Sequence, residues 1–240
     1  MASKKDSGVL RGAKLVKKAL AAANASGMLA APEPLPASLV RKLVLPNGEK
    51  ISAGMKELLT ADGDWIGIDY DDEEGEIEAM SLEDLVEEVF GEEAVHAFAE
   101  AYEMLGDDIV FFGGEVSRPA GLYVGNPDEA GEYPVVMLSW DSGVAKIGGF
   151  VPFDVWVAQE LGALERGKEI GDVPGEYQPL VQAMADANGD GRIVFTPKAG
   201  EPTAGGGESD DEDEGEEEDD ASGEGGAGPA TNGGGDPTMN

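Results

Sequence analysis

Apolar residues between positions 109 and 164 come in short blocks, and the spacing within the blocks changes once. Ile109, Val110, Phe111 and Phe112 form the first block, 120–124 (Ala-Gly-Leu-Tyr-Val) the second and 134–140 (Pro-Val-Val-Met-Leu-Ser-Trp) the third, with a shorter run at 144–147. Gly, Pro, Asn and Asp crowd the gaps. Short β-branched and aromatic runs divided by turn residues predict consecutive antiparallel strands. Phe153, Trp156, Val157, Leu161 and Leu164 then follow at three- and four-residue steps, which predicts an amphipathic helix with Pro152 in its first turn. The expected core is a strand meander closed by a helix.

Upstream, Val9, Ala13, Val16 and Leu20 mark one face of a short helix, and Lys14, Lys17 and Lys18 lie on the other. Such a helix would bind a membrane surface or a partner, or would dock on its own acidic domain or fray; its small apolar area, at about 25 cal/mol per Å², favours the second pair. Pro32, Pro34 and Pro36 make a stiff connector. Apolar runs flank Pro46-Asn47-Gly48, a local hairpin signal. Ser52 is placed to cap a helix through Met55, Leu58 and Leu59, and Trp65-Ile66-Gly67-Ile68 reads as a strand. Ser81 and Asp84 resemble a capping box before a helical face of Leu82, Leu85, Val86, Val89 and Phe90. Val95, Phe98, Tyr102 and Leu105 resume that face after Gly91. A cluster of carboxylates, Asp69, Asp71, Asp72, Glu73 and Glu74, stands just before this region.

Charge narrows the partners. The formal net charge is -34, which disfavours nucleic acid and anionic membranes and suits a basic partner. It is unevenly spread: six Lys or Arg precede Leu20 against only Asp6, whereas about fourteen acidic residues and no basic one follow position 200. The segment from 199 to 240, rich in Gly and acid, has too little apolar surface to offset its ordering entropy and is expected to be disordered. No apolar run approaches the roughly 18 residues of a spanning helix, and Lys17 and Lys18 interrupt the only segment resembling a signal peptide. A cytoplasmic protein is expected.

Chemistry is sparse. There is no cysteine, hence no disulfide, thiolate metal site or cysteine nucleophile. His96, the sole histidine, has no nucleophile or orienting carboxylate implied by its local sequence. No glycine-rich phosphate loop leads into a helix, and the abundance of carboxylates singles out no glycosidase pair. Asp186, Asn188, Asp190, Gly191 and Ile193 match the first eight positions of an EF-hand loop, but Pro197 stands where the bidentate Glu belongs, leaving either a weak calcium site or an ordinary turn. The expectation is no catalysis, no cofactor and no metal site.

The order of hairpin, helix, Trp-bearing strand, long helices, aromatic strands and closing helix resembles the SUKH superfamily of bacterial toxin-immunity proteins and eukaryotic cell-wall-assembly regulators. The resemblance covers roughly 36–164. Its most specific pieces are Leu43-Val44-Leu45-Pro46-Asn47-Gly48 leading to Ile51-Ser52-Ala53-Gly54-Met55-Lys56-Glu57-Leu58-Leu59, then Gly121-Leu122-Tyr123-Val124 and Val135-Val136-Met137-Leu138-Ser139-Trp140-Asp141. It implies an α+β fold, with a mainly antiparallel or mixed sheet flanked by helices, that presents a surface to a protein partner without catalysis. The expected division is a basic N-terminal segment (1–31), a SUKH-like domain (32–167), a helix-and-turn extension (168–198) and the acidic tail (199–240). The leading expectation is an immunity protein that neutralises a basic toxin through the acidic loop at Asp69, Asp71, Asp72, Glu73 and Glu74. The alternative is a regulatory or scaffold protein acting through its tail. Neither the oligomeric state nor the partner's identity follows from the sequence.

Overall fold

In the computed structural model, which describes residues 9–29, 31–71, 74–99, 109–113, 119–141, 144–165 and 174–188, the alternating blocks form one four-stranded antiparallel sheet. Its strands are β1 (Ile109–Phe111), β2 (Ala120–Tyr123), β3 (Pro134–Asp141) and β4 (Val144–Pro152), and they lie side by side in chain order. The helices are α1 (Ala13–Ser26), α2 (Ala37–Val40), α3 (Ala53–Ala61), α4 (Leu82–Phe90), α5 (Glu92–Val95), α6 (Phe153–Glu160) and α7 (Gln178–Asn188), with a 3-10 turn at His96–Phe98. The fold is a single α+β domain with helices flanking the sheet, as the apolar pattern predicts. The acidic tail and Asp190 to Pro197 lie outside the described residues.

The sheet separates two hydrophobic layers. Successive strand residues point to opposite faces, so Val135 and Met137 join Val110, Phe112, Ala120 and Leu122 on one side, while Val136 and Leu138 join Ile109, Ala145 and Ile147 on the other. Helices α1, α3 and α6 complete the first layer; α4, α5 and the 3-10 turn complete the second. Helix α7 contributes Val181 to the first layer and Met184 and Ala185 to the second, so it flanks β4, the terminal strand.

A bulge in β4 lets one strand serve both layers. Met137 pairs with Gly148 and Val135 with Val151, so Gly149 and Phe150 stand opposite Val136 alone. The extra residue reverses the alternation: Ala145, Ile147 and Phe150 face the second layer, and Val151 returns to the first. Gly149, at φ 116°, admits this path, because a Cβ there would come within 2.9 Å of the Val135 carbonyl oxygen. Phe150 adopts φ 40° and is fully buried, so the apolar contact offsets a conformation that non-glycine residues avoid.

The first layer is centred on aromatics. Phe112 stacks on Trp156 with ring centroids 5.0 Å apart, and Phe153 and Trp65 pack on Trp156 at 6.0 and 5.8 Å. Helix α6 is buried from Phe153 to Gln159, since the sheet, α1 and α3 surround it. It ends at Glu160, short of the expected Leu164: Gly162 turns at φ 69°, and the Ala163 and Leu164 N–H groups both donate to the Ala158 carbonyl. Pro152 precedes the helix as its N-cap residue instead of lying in its first turn.

Helix α1 buries Leu15, Val16, Ala19, Leu20 and Ala23 and leaves Lys14, Lys17 and Lys18 exposed. The stripe is broader than Val9, Ala13, Val16 and Leu20 suggest because α3 and α6 both meet it. Gly27 closes the helix in the left-handed conformation, with the Met28 N–H reaching the Ala23 carbonyl at 3.0 Å.

One expected strand is absent. Trp65, Ile66 and Gly67 form a turn, with Gly67 at φ 54°. Trp65, Ile66 and Ile68 are all buried, which a half-exposed strand with its two-residue period cannot achieve. The segment is irregular because it fills a corner of the first layer, and the Gly67 carbonyl accepts the Gly113 N–H at 3.1 Å beyond the end of β1.

Candidate functional site

Two groups of carboxylates stand out, one exposed and one buried. The exposed group begins at the turn the sequence singles out. Asp69, Asp71 and Glu74 are exposed; Asp72 and Glu73 lie outside the described residues. Tyr70 and Ile77 pair across the turn, the Asp71 N–H donates to the Glu76 carbonyl at 2.8 Å, and the Gly75 N–H donates to the Asp71 carbonyl at 2.8 Å. Asp71 Oδ1 accepts the Glu74 N–H at 2.6 Å, an aspartate turn that uses the side chain to fix the backbone.

That turn is held from beneath. Val44, in the early hairpin, donates its N–H to the Gly75 carbonyl at 2.9 Å and accepts the Ile77 N–H at 3.0 Å. Ile77 is buried in the first layer, so the backbone is anchored while its acidic side chains stay in water. The hairpin itself closes as expected, with the Gly48 N–H on the Leu45 carbonyl at 2.8 Å. Three residues beyond Ile77, the Met80 N–H donates to the Ile109 carbonyl at 2.9 Å and seats the chain against β1.

The acidic character continues onto α4 and α5. Ser81 caps α4, accepting the Asp84 N–H at 3.0 Å and donating its hydroxyl to Asp84 Oδ2 at 2.7 Å. Leu82, Leu85 and Val86 turn inward, so Glu83, Asp84, Glu87 and Glu88 point outward, followed by exposed Glu92 and Glu93. No Lys or Arg occurs anywhere between Lys56 and Arg118. The described residues of 69–93 therefore present exposed carboxylates on an anchored turn and a capped helix, in a stretch of sequence that contains no Lys or Arg.

The buried group escapes sequence reasoning. Asp154, in the first turn of α6, is fully buried and receives Arg11 Nε at 2.8 Å and Nη2 at 3.0 Å, a bidentate pair. Arg11 Nη2 also donates to Asp128 Oδ2. Burial works against the charged guanidinium, but the two aspartates outweigh it and hold the Arg11 pKa above its ordinary value. Asp128 Oδ1 accepts the Ala130 and Glu132 N–H groups at 2.8 and 3.0 Å and so shapes the turn before β3. Glu132, also fully buried, places Oε1 2.8 Å from the Gly54 N–H in the first turn of α3. Ser52 caps the same helix, accepting the Met55 N–H at 3.1 Å as expected. The cluster joins the segment before α1 to the starts of α3 and α6.

The described part of the calcium-like motif, 186–188, is helical. Asp186 and Asn188 lie within α7, and the Asn188 carboxamide is turned inward. Its Oδ1 accepts the Asn126 N–H at 2.6 Å, and its Nδ2 donates to the Asn126 and Met184 carbonyls at 3.0 and 3.1 Å. The oxygen that would ligate calcium at the third loop position is committed to docking α7 on the 125–126 turn. Asp186 accepts Gln182 Nε2 at 2.8 Å. His96 is exposed in the 3-10 turn. Among the described residues no group of three or more His, Cys, Asp or Glu is arranged to hold a metal, and no helix is long and apolar enough to cross a membrane.

No protein-family model and no curated protein matches the chain. A solved structure of an uncharacterized protein from Salmonella enterica subsp. enterica serovar typhimurium str. 14028s is similar over 77% of this chain and 95% of that one, at 14% identity and a TM-score of 0.45.

Proposed function

We propose that this chain is a non-enzymatic, cytoplasmic protein-binding module of the SUKH type, whose acidic surface at positions 69–93 engages a basic protein, with a toxin neutralised by occupation as the leading case. The observation that carries the reading is the pairing of rigidity with a dense array of exposed carboxylates. The turn bearing Asp69, Asp71 and Glu74 is fixed by backbone hydrogen bonds to Val44 and by the buried Ile77. A surface ordered before contact loses less entropy on binding than a flexible acidic segment does. Its charge raises the encounter rate with a basic partner and disfavours acidic ones.

The acidic block at 209–220 supports a second reading, in which a scaffold acts through its tail. The two separate in surface plasmon resonance with a partner captured from native lysate. Neutralising Asp69, Asp71 and Glu74 should lower affinity at both low and physiological salt. Truncation after Lys198 should slow association only at low salt, where long-range attraction is unscreened. Binding that disappears on truncation and is indifferent to the turn would transfer the function to the tail.

A further inference from the structure

The turn before β3 is fastened to α3 by a carboxyl group in an unusual setting. Glu132 is fully buried; its Oε1 accepts the Gly54 N–H, and its Oε2 has no hydrogen-bond partner. Gly54 is what admits it, since a Cβ at that position would lie 2.7 Å from Oε2. The groups around it come from every neighbouring element. Asp128 comes from its own turn, Asp154 from the start of α6, Arg11 from the segment before α1 and Ser52 from the start of α3. Tyr177, ahead of α7, reaches the Leu10 carbonyl with its hydroxyl at 3.4 Å. Arg11 directs its hydrogen bonds to Asp154 and Asp128. Arg11 is thus committed to the two aspartates, and an ionised Glu132 would add a third negative charge beside them with its Oε2 unpartnered.

We propose that Glu132 is a proton-operated latch: protonated, it seats the 126–133 turn on the N-terminus of α3, and loss of its proton to solvent drives the carboxylate out of that seat and loosens the turn. Burial is the largest influence on this group and favours the neutral acid, as do Asp154 and Asp128. The Ser52 hydroxyl and the Gly54 N–H act the other way, and the balance lifts its pKa from 4.5 to about 7. A value raised by folding means that the protonated form stabilises the fold. That contribution is complete below the unfolded value and is lost as pH rises through the folded one. Arg11 stays charged throughout, so the element released is the turn carrying Glu132, not the segment carrying the guanidinium.

The test uses the full chain labelled uniformly with carbon-13 and nitrogen-15, followed by NMR from about pH 4 to about pH 9, with the Glu132 carboxyl assigned through its bonds to its own backbone. The Glu132 carboxyl should titrate near 7. Hydrogen exchange at the Gly54 N–H, corrected for its intrinsic base dependence, should report an opening that grows about tenfold per pH unit between 4.5 and about 7 and levels off above that midpoint, as linkage to one proton requires. In Glu132→Gln the corrected opening should be flat with pH. Titration of Glu132 near 4.5 would overturn the latch. So would a carboxyl that titrates near 7 while Gly54 protection stays constant, because the proton would then leave without releasing the turn. Both decisive readings come from the unmodified chain, so they survive a variant that fails to fold.

Discussion

The same side-chain chemistry serves two opposite purposes in this molecule. Around Arg11, the buried acids Asp154 and Glu132 and the half-buried Asp128 meet within one junction of the fold, and the two aspartates share a guanidinium. Along 69–93 the described carboxylates are exposed, and that stretch of sequence itself contains no Lys or Arg. A buried charge must be matched, because removing it from water costs several kcal/mol, whereas an exposed charge costs little and remains available to a partner. Location decides which aspartates hold the protein together and which stand at the surface.

The difference should appear most strongly on removing the cation of the buried set. Arg11→Ala would leave Asp154 buried without its bidentate partner, and urea unfolding should show a loss of about 3 to 5 kcal/mol. A loss below about 1 kcal/mol would place the pair among ordinary surface ion pairs. Next comes the proton on Glu132. As pH rises from 4.5 to about 7 the folded chain holds a proton that the unfolded chain has released, so stability should fall across that window. The decline should be on the order of 3 kcal/mol, and Glu132→Gln should abolish this component of the slope while leaving that of the remaining carboxylates.

Smaller effects are expected on the exposed side. Asp71→Ala removes the acceptor for the Glu74 N–H at the surface and should cost about 1 kcal/mol by thermal unfolding. Asp71→Asn keeps an acceptor oxygen and should recover most of it. Glu83→Gln and Glu87→Gln should change stability by no more than about 0.5 kcal/mol, and in the favourable direction, since these like charges sit four residues apart on α4. A large destabilisation by either would mean that the outer face of α4 has a structural role as well.

Much of the fold was legible because its signals are local. The four strands follow from apolar runs bounded by turn residues, and the Ser52 and Ser81 caps follow from a hydroxyl placed before a helical face. Trp65 to Ile68 was not legible: its residues have strand propensity, but their fate was set by burial in a corner between Gly113 and Trp156. Positions 65–68 lack the polar alternation of a half-exposed strand, which was the available warning. Helix α6 is shorter than its periodicity suggested because Gly162 ends the turn, although Leu161 remains buried.

The buried cluster was invisible for a different reason. Arg11 meets Asp154 and Asp128 across 143 and 117 residues of chain, and no spacing rule spans such distances. One signal was present. Asp154 is a lone acid inside the apolar run from Phe150 to Val157, and an acid that must be buried with its neighbours needs a cation from elsewhere. Asn188 carries the converse lesson: Asp186-Ala187-Asn188 has calcium-loop spacing, but the helix continues through it and directs the carboxamide to the Asn126 backbone.

The division of labour between the two carboxylate sets is tested most directly by binding and melting the same variant. Asp69→Asn, Asp71→Asn, Glu74→Gln, Glu83→Gln and Glu87→Gln, combined in the full chain, keep hydrogen-bonding groups at each position and remove five exposed charges. Against a basic partner captured from native lysate, dissociation constants measured at physiological salt should weaken by at least about tenfold, roughly 1.4 kcal/mol, while the melting temperature stays level or rises. Unchanged affinity, with binding lost only when the chain is cut after Lys198, would contradict it.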